Sequence, residues 1–549
     1  MSLKVFAVLV CLGFAAIATP AVQAQSSERY HALLTGRVAS GHIQPPADLK
    51  TFVDNGKIRL SLKQAILLAL ENNSAIRVEE SQIETQKFGV LAAHAAFDPV
   101  IDSDWNVNRY SSPTYSQLQG VGTSGAYALN TLTQTASVDY TQTFTTGTNV
   151  VASISSSKSS TNSSYNFFNP FFSSALSFQF TQPLLRNAGR FANTAPLIVA
   201  RKSLDESRAG FEAEVNDAVL MAVNSYWAVV QARGALDVQQ RSLQLAQKSY
   251  DHDKRALELG ALPPLDINRS ASEVAARNVQ EIQTEVVLSQ AEEALRSLIG
   301  ADLDVQTRSM HFDLTENPEP DGALAAVDIE AALKEALQQR PETRVAEDAL
   351  AIDKTNIRLA HNQLLPGLSF TGFYQSNGLG GNQYDLNTGQ LTQPGGLGSS
   401  YSQLFGFGYP GYGGEIKLTL PVRNSTAQAQ LGTALASRSR DLYSQRQTQE
   451  QIVRDVRTAS LQLEAAKQAM TAAKQSLDLA KKSLAADQRK YELGAETNFF
   501  VLDSQTRLAQ AELALLQTEV NYQVAVAAVE HATGKLLAPY QIQVDATMK

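Results

Sequence analysis

From Leu62 to Phe97 (LKQAILLALENNSAIRVEESQIETQKFGVLAAHAAF) apolar residues recur at three- and four-residue spacing with no internal proline. This predicts a helix over 62–97, ended by Pro99. Beyond Pro99 the period changes: Ser, Thr, Asn, Gly and aromatics dominate, and segments such as ASVDYTQTF and LSFQFTQP alternate. In the second of these, Leu176, Phe178 and Phe180 fall on one face and Ser177, Gln179 and Thr181 on the other, so strands with one apolar and one polar face are expected within 100–182. After Pro183 the helical period returns, rich in Ala, Leu and Gln. It predicts a long helix over 187–259, a break at Gly260, and a further helix over 265–299 opened by Pro263-Pro264. The order then repeats: a helix over 329–365, strands within 367–420 including EIKLTLP, a long helix over 424–493, a break at Gly494, and a helix over 497–533.

The two halves also echo residue by residue. LELGALPPLDINRS (257–270) aligns with YELGAETNFFVLDS (491–504) at an offset of 234, which also places Thr284-Glu285-Val286 on Thr518-Glu519-Val520 and Gly300 on Gly534. Upstream, an offset of 267 places Arg77-Val78 on Arg344-Val345 and Pro99 on Pro366. The chain therefore reads as a duplicated domain, 60–300 and 328–534, and not as a solenoid, whose repeats are shorter and more numerous. A linker (301–327) joins the copies, a polar extension (25–59) precedes them and a tail (535–549) follows. Each long helix matches the summed length of the two shorter ones, so two short helices stacked end to end can lie antiparallel against one long one of about 100 Å. The strands lack a core of their own. Closure into a barrel by symmetric oligomerisation would supply one.

Lys4, the apolar run Val5–Ala18 and Val22-Gln23-Ala24 predict a secretory signal over 1–24. Cys11, the only cysteine, would leave with it, and Val10 before it argues against a lipoprotein anchor. After the signal there is no apolar run of about 18 residues, so any membrane crossing would be made by a barrel. A net charge of −8, with 18% charged residues, speaks against a nucleic-acid partner.

The duplicated order, the junctions TQPLLR and LTLPVR, the paired LGA turns and the VLDSQ run resemble the TolC-type outer-membrane efflux protein family, from about Leu60 to Gly534. The resemblance implies a mixed α and β fold: a trimeric β-barrel in outer-membrane lipid, continued by a long antiparallel α-helical coiled-coil tunnel through the periplasm. It implies a homotrimer that docks a periplasmic adaptor protein and an inner-membrane pump, as the exit duct of a tripartite efflux pump or type I secretion system. Pump and adaptor would choose the substrate. Two strands per unit, twelve per trimer, are implied. Here Pro99 to Pro183 spans 84 residues while Pro366 to Pro421 spans 55. The surplus reads as a hairpin, TASVDYTQTFTTGTNVVASISSS, turning at Thr146-Gly147. Eighteen strands are permitted, but twelve plus a hairpin is expected, because the tunnel beneath has the width of twelve helices.

Gly260 and Gly494 mark where the chain reverses, since glycine accepts the positive φ of such a turn. The turns Leu259-Gly260-Ala261 and Leu493-Gly494-Ala495 are the expected adaptor-docking sites. By the resemblance, the helices beyond them close the periplasmic mouth. Asp266 matches a family carboxylate that accepts a hydrogen bond from Tyr491 of a neighbouring hairpin. Asp503 matches one acidic ring position, Phe500 stands at the other, and Glu496 replaces a gate arginine. The plainer alternative is that these are helix-start carboxylates favoured by the helix dipole.

No catalytic, cofactor or metal site is expected. The seven histidines do not cluster with carboxylates. His94 and His361 read as packed side chains, and Gly120-Val121-Gly122-Thr123-Ser124-Gly125 matches a nucleotide fingerprint only formally, in a loop that opens no helix. Phe167, Phe168, Phe171, Phe172, Phe405, Phe407, Tyr409 and Tyr412 suggest an aromatic girdle, or else a self-packed outer loop. A structural or adhesive coiled-coil trimer is the competing function, and single-channel conductance separates the two.

Overall fold

A computed structural model describes residues 49–542, apart from 55, 117–118, 120–127, 260–265, 302–306, 321, 323, 387 and 494. The signal 1–24, the glycine-rich loop 120–125, Gly260, Ala261 and Gly494 thus lie outside the described residues. The first unit runs β1 (Val53–Asp54), β2 (Lys57–Leu60), α1 (Leu62–Asn72), α2 (Ser74–His94), β3 (Val100–Pro113), β4 (Ala128–Thr143), β5 (Asn149–Thr161), β6 (Phe168–Pro183), α3 (Gly189–Glu258) and α4 (Asp266–Leu298). After β7 (Phe312–Leu314) come α5 (Ile329–Gln339), α6 (Pro341–Gln363), β8 (Gly367–Tyr384), β9 (Leu391–Gln393), α7 (Leu397–Phe405), β10 (Pro410–Thr419), α8 (Ser425–Glu492) and α9 (Asn498–Ala532).

The helices expected over 62–97 and 329–365 are each broken once. Asn73 sits in an extended conformation (ψ 118°), and its Oδ1 accepts the Ala75 N–H, so one residue ends α1 and caps α2. At the equivalent place, Pro341 disfavours helix at Arg340 (ψ 133°) and opens α6. The apolar period continues through both breaks, which is why the pattern alone does not show them.

α3 has 70 residues, or about 105 Å at 1.5 Å per residue. It packs against α1 and α2 along one part of its length and against α4 along another, while α8 packs in the same way on α5, α6 and α9. The core is built from small residues: Ala332 and Ala336 of α5, Ala459 and Ala466 of α8, and Ala525 and Ala532 of α9 allow close approach around Leu333, Ile452, Leu463 and Tyr522. Across the units, α3 meets α6 and α9, with Lys202 3.0 Å from Asp348 and Arg344 paired with Glu212. A belt of β1, β2 and β7 ties the linker to the first unit, β2 and β7 running parallel. The fully buried Tyr226 donates its hydroxyl proton to Glu316, which also accepts the Leu62 N–H at 3.0 Å. Burial, and then Glu316, push the Tyr226 pKa up.

The long strands form one antiparallel sheet in the order β10-β8-β6-β5-β4-β3. The surplus segment is therefore not an appended hairpin. Its strands β4 and β5 lie inside the sheet between β3 and β6, joined by a turn in which Gly147 has φ +85°. This overturns the expectation of two strands from the first unit, because all four pair continuously.

Register places residues on two contrasting faces. Trp105, Ala136, Ser156 and Ser174 follow one another across strands, as do Ile101, Tyr140, Ala152, Phe178 and Tyr374. Extended by alternation, this face carries Ile101, Val107, Val138, Val150, Ile154, Leu176, Phe180, Phe370, Ile416 and Leu418. The opposite face carries Asp102, Asp104, Asp139, Gln179, Thr371, Gln375, Glu415 and Lys417. The segment read only as strands, 367–420, also contains the helix α7. It lies on the apolar face at the end far from α3. A Cβ on Gly378 would stand 2.0 Å from the Ser400 carbonyl oxygen, so only glycine admits the helix there. Ser376 Oγ donates to the Leu404 carbonyl at 2.7 Å. Among the aromatics, Phe405, Phe407, Tyr409 and Tyr412 are at least half exposed, while Phe407 also packs on Tyr374.

Candidate functional site

The ends of α3, α4, α8 and α9 meet on one side chain. Asp253, in the last turns of α3, is 1% exposed and accepts hydrogen bonds from Ser270 Oγ of α4 and from Asn498 Nδ2 of α9 at 2.6 Å. Tyr491 OH of α8 lies 3.4 Å from its Oδ1 and 3.3 Å from His252 Nδ1, and the His252 and Tyr491 rings meet at 5.7 Å. Burial, and then Asp253, raise the Tyr491 pKa, keeping the phenol neutral and able to donate. The expected partner of Tyr491 was Asp266. Within the protomer the hydroxyl meets Asp253 and His252, because it projects from the last turn of α8 toward α3. Asp266 opens α4, and its side chain lies outside the described residues.

A matching clasp holds the second hairpin. Ser504 Oγ donates to Asp487 Oδ2 at 2.5 Å, and this bond, followed by Lys490, lowers the Asp487 pKa. The repeat offset of 234 maps Asp253 onto Asp487 and Ser270 onto Ser504, so both turns are closed by an aspartate–serine bond spanning 17 residues. The echo carried that signal. The sequence reading singled out the residues nearest the glycines and passed over both pairs.

Glu496 has its cation nearby: Lys490 Nζ stands 2.6 Å from Glu496 Oε1 and 3.6 Å from Asp487, and Glu496 raises the Lys490 pKa. Its Oε2 is buried without a hydrogen-bond partner among the described residues. Asp503 was expected at an acidic ring position, and within the protomer it has a neighbouring cation. Its Oδ2 is 2.9 Å from Arg507 Nε, one turn further along the same helix. Phe500, 47% exposed, packs edge-on against Phe499 (5.4 Å, 74°), over which Arg269 lies at 5.2 Å. Arg277 of α4, 7% exposed, reaches Thr506 of α9 and Glu273 of its own helix. At the tips, Leu259 and Leu493 are 84% and 71% exposed, so each turn presents a bare leucine. No group of three metal-ligating side chains occurs among the described residues. The arrangement fastens helix ends and exposes apolar tips.

Tunnel-length helices fastened at one end, with a sheet of contrasting faces at the other, define the class of outer-membrane channel proteins. The family model of outer membrane efflux proteins matches residues 65–301 and 332–535, and the chain belongs to that family. It is 22% identical over 357 residues to the outer membrane protein TolC of Vibrio cholerae, covering 64% of this chain and 76% of that one. Its fold is similar to that of a membrane protein from Pseudomonas aeruginosa (TM-score 0.61, 18% identity, covering 90% of this chain and all of that one). It is also similar to the CmeC outer membrane channel of Campylobacter jejuni (TM-score 0.58, 15% identity, 91% of each chain). The protein is an efflux exit duct of the outer membrane.

Proposed function

We propose that three copies of this chain close a single eighteen-stranded barrel, that the helices beneath form one tunnel, and that the turns Leu259-Gly260-Ala261 and Leu493-Gly494-Ala495 dock a periplasmic adaptor serving an inner-membrane pump. The observation that carries this reading is the sheet: six long strands end at two unpaired edges, β3 and β10, which run in opposite directions and share the same apolar and polar sides. An unpaired edge is a template for another chain. Antiparallel pairing of β3 with the neighbouring copy's β10 keeps every polar face toward one lumen. It also sets the acidic Asp102 and Asp104 on β3 near Lys417 on β10. Asp253 then holds the mouth closed from within each protomer, and pulling the tips apart breaks its contacts to α8 and α9.

Cysteine pairs scanned between 100–106 and 413–419 test the closure. Oxidation in the outer membrane is expected to give a covalent trimer for pairs that share a face. Exclusively monomeric protein from every pair refutes the shared barrel.

A further inference from the structure

The apolar face of the sheet carries two charged residues, Arg109 and Lys158, and both are cations. Arg109 of β3 stands opposite Leu132, which stands opposite Ser160 of β5, so Arg109 and Lys158 share that face. The polar face, by contrast, has four carboxylates (Asp102, Asp104, Asp139 and Glu415) and one cation, Lys417. The two cations also share a level. Each lies nine residues along its strand from the end nearest the helices, Val100 or Asn149, which is about 30 Å of strand. At a tilt of about 40° that rises roughly 23 Å, close to the full height of a barrel's apolar band. Below them the face is Ile101, Trp105, Val107, Val150 and Ile154. At their own level the floor changes to Ser156, Ser174 and Ser376, on which α7 rests.

Among the described residues neither cation has an anionic partner. Lys158 Nζ lies over the Phe172 ring, 5.9 Å from its centroid, a contact that orients the ammonium without neutralising its charge. Beside it, the Tyr401 hydroxyl of α7 is 2.6 Å from Ser156 Oγ, and Phe405 is 58% exposed. A short uncharged helix with an exposed aromatic, Phe405 stacked on Tyr401, suits the boundary between hydrocarbon and headgroups. Two strand spacings and two residues separate Arg109 from Lys158, about 12 Å. A headgroup with phosphates at both ends spans such a gap.

We propose that Arg109 and Lys158, flanked by α7, bind the phosphates of an outer-leaflet lipid headgroup. This rests on the barrel reading, which turns the apolar face to lipid. The test uses the full-length detergent-extracted protein and three probes: a diphosphorylated lipid A, the same lipid with its phosphates removed, and inorganic phosphate at equal phosphate concentration. Binding is read by native mass spectrometry. Arg109→Gln with Lys158→Gln is expected to weaken the diphosphorylated lipid about twenty-five-fold, at roughly fivefold per cation. Lys482→Gln, an exposed cation lost from α8 and away from the sheet, should leave binding unchanged. Wild-type affinity in the double variant, an equal loss from Lys482→Gln, or equally tight binding of the dephosphorylated lipid or of free phosphate overturns the site. Bilayer conductance separates the two readings: a double variant that conducts and binds lipid like wild type refutes the headgroup site alone. A wild type that neither conducts nor binds lipid refutes the barrel as well.

Discussion

Asp253 shows how much one side chain can hold. Removing a buried acceptor leaves its donors unsatisfied at about 1–3 kcal/mol each, so Asp253→Ala acts on Ser270, Asn498 and Tyr491 together. We predict that it raises single-channel conductance more than Asp487→Ala does, since Asp487 ties only its own hairpin. Equal, unchanged conductance in both variants would remove Asp253 from the gate. Tyr491→Phe should have a smaller effect than Asp253→Ala, because the Tyr491 bond is long at 3.4 Å. Asp503 gives a second prediction. With Arg507 as its partner, Asp503→Asn uncovers a cation, so the reversal potential should move toward anion selectivity. An unmoved reversal potential places the pair outside the pore. These roles were only partly legible. Tyr491, Asp503 and Glu496 were singled out by the family resemblance, but a hydrogen-bond hub such as Asp253 exists only once four helix ends are packed together.

At the scale of elements, the pattern located every long helix to within about two residues, because a 3.6-residue period over 30 to 70 positions is hard to mistake. It missed what single residues decide, such as the Asn73 and Arg340 breaks, and the nine-residue α7 in sequence rich in Gly and Ser. The helices also define a titrating cleft. Asp353 of α6, 5% exposed, and Glu206 of α3 both have raised pKa values, first through burial and then through neighbouring carboxylates (Asp441 for Asp353; Asp348, then Asp441, for Glu206). Arg440, 2.7 Å from Asp441, holds that group low, and Arg440 and Arg438 partly offset the shift of Asp353. A raised carboxylate keeps its proton longer in the folded state. Stability should therefore fall as pH rises above the ordinary values of 3.8 for Asp353 and 4.5 for Glu206. Asp353→Asn should raise the thermal midpoint at pH 7 and change it little at pH 4. A variant that destabilises equally at both pH values contradicts this coupling.

For the whole molecule, the strand count turns on width. Twelve strands were expected because twelve helices lie beneath, but equal numbers do not make equal circumferences. Twelve helices at about 9.5 Å give roughly 114 Å, whereas strands about 4.8 Å apart and tilted by about 40° occupy roughly 6.3 Å each. Eighteen of them make about 113 Å, and twelve would fall well short. The sheet of six long strands per chain thus matches the proposed twelve-helix tunnel without a step between the layers. The most direct test of the account is single-channel recording on the protein extracted from the outer membrane and reconstituted in a planar bilayer. The account predicts discrete, long-lived conductance steps from a trimeric species, small in the wild type and larger in Asp253→Ala. A trimer that inserts yet carries no current in either form would contradict an exit duct and leave a structural coiled coil in its place.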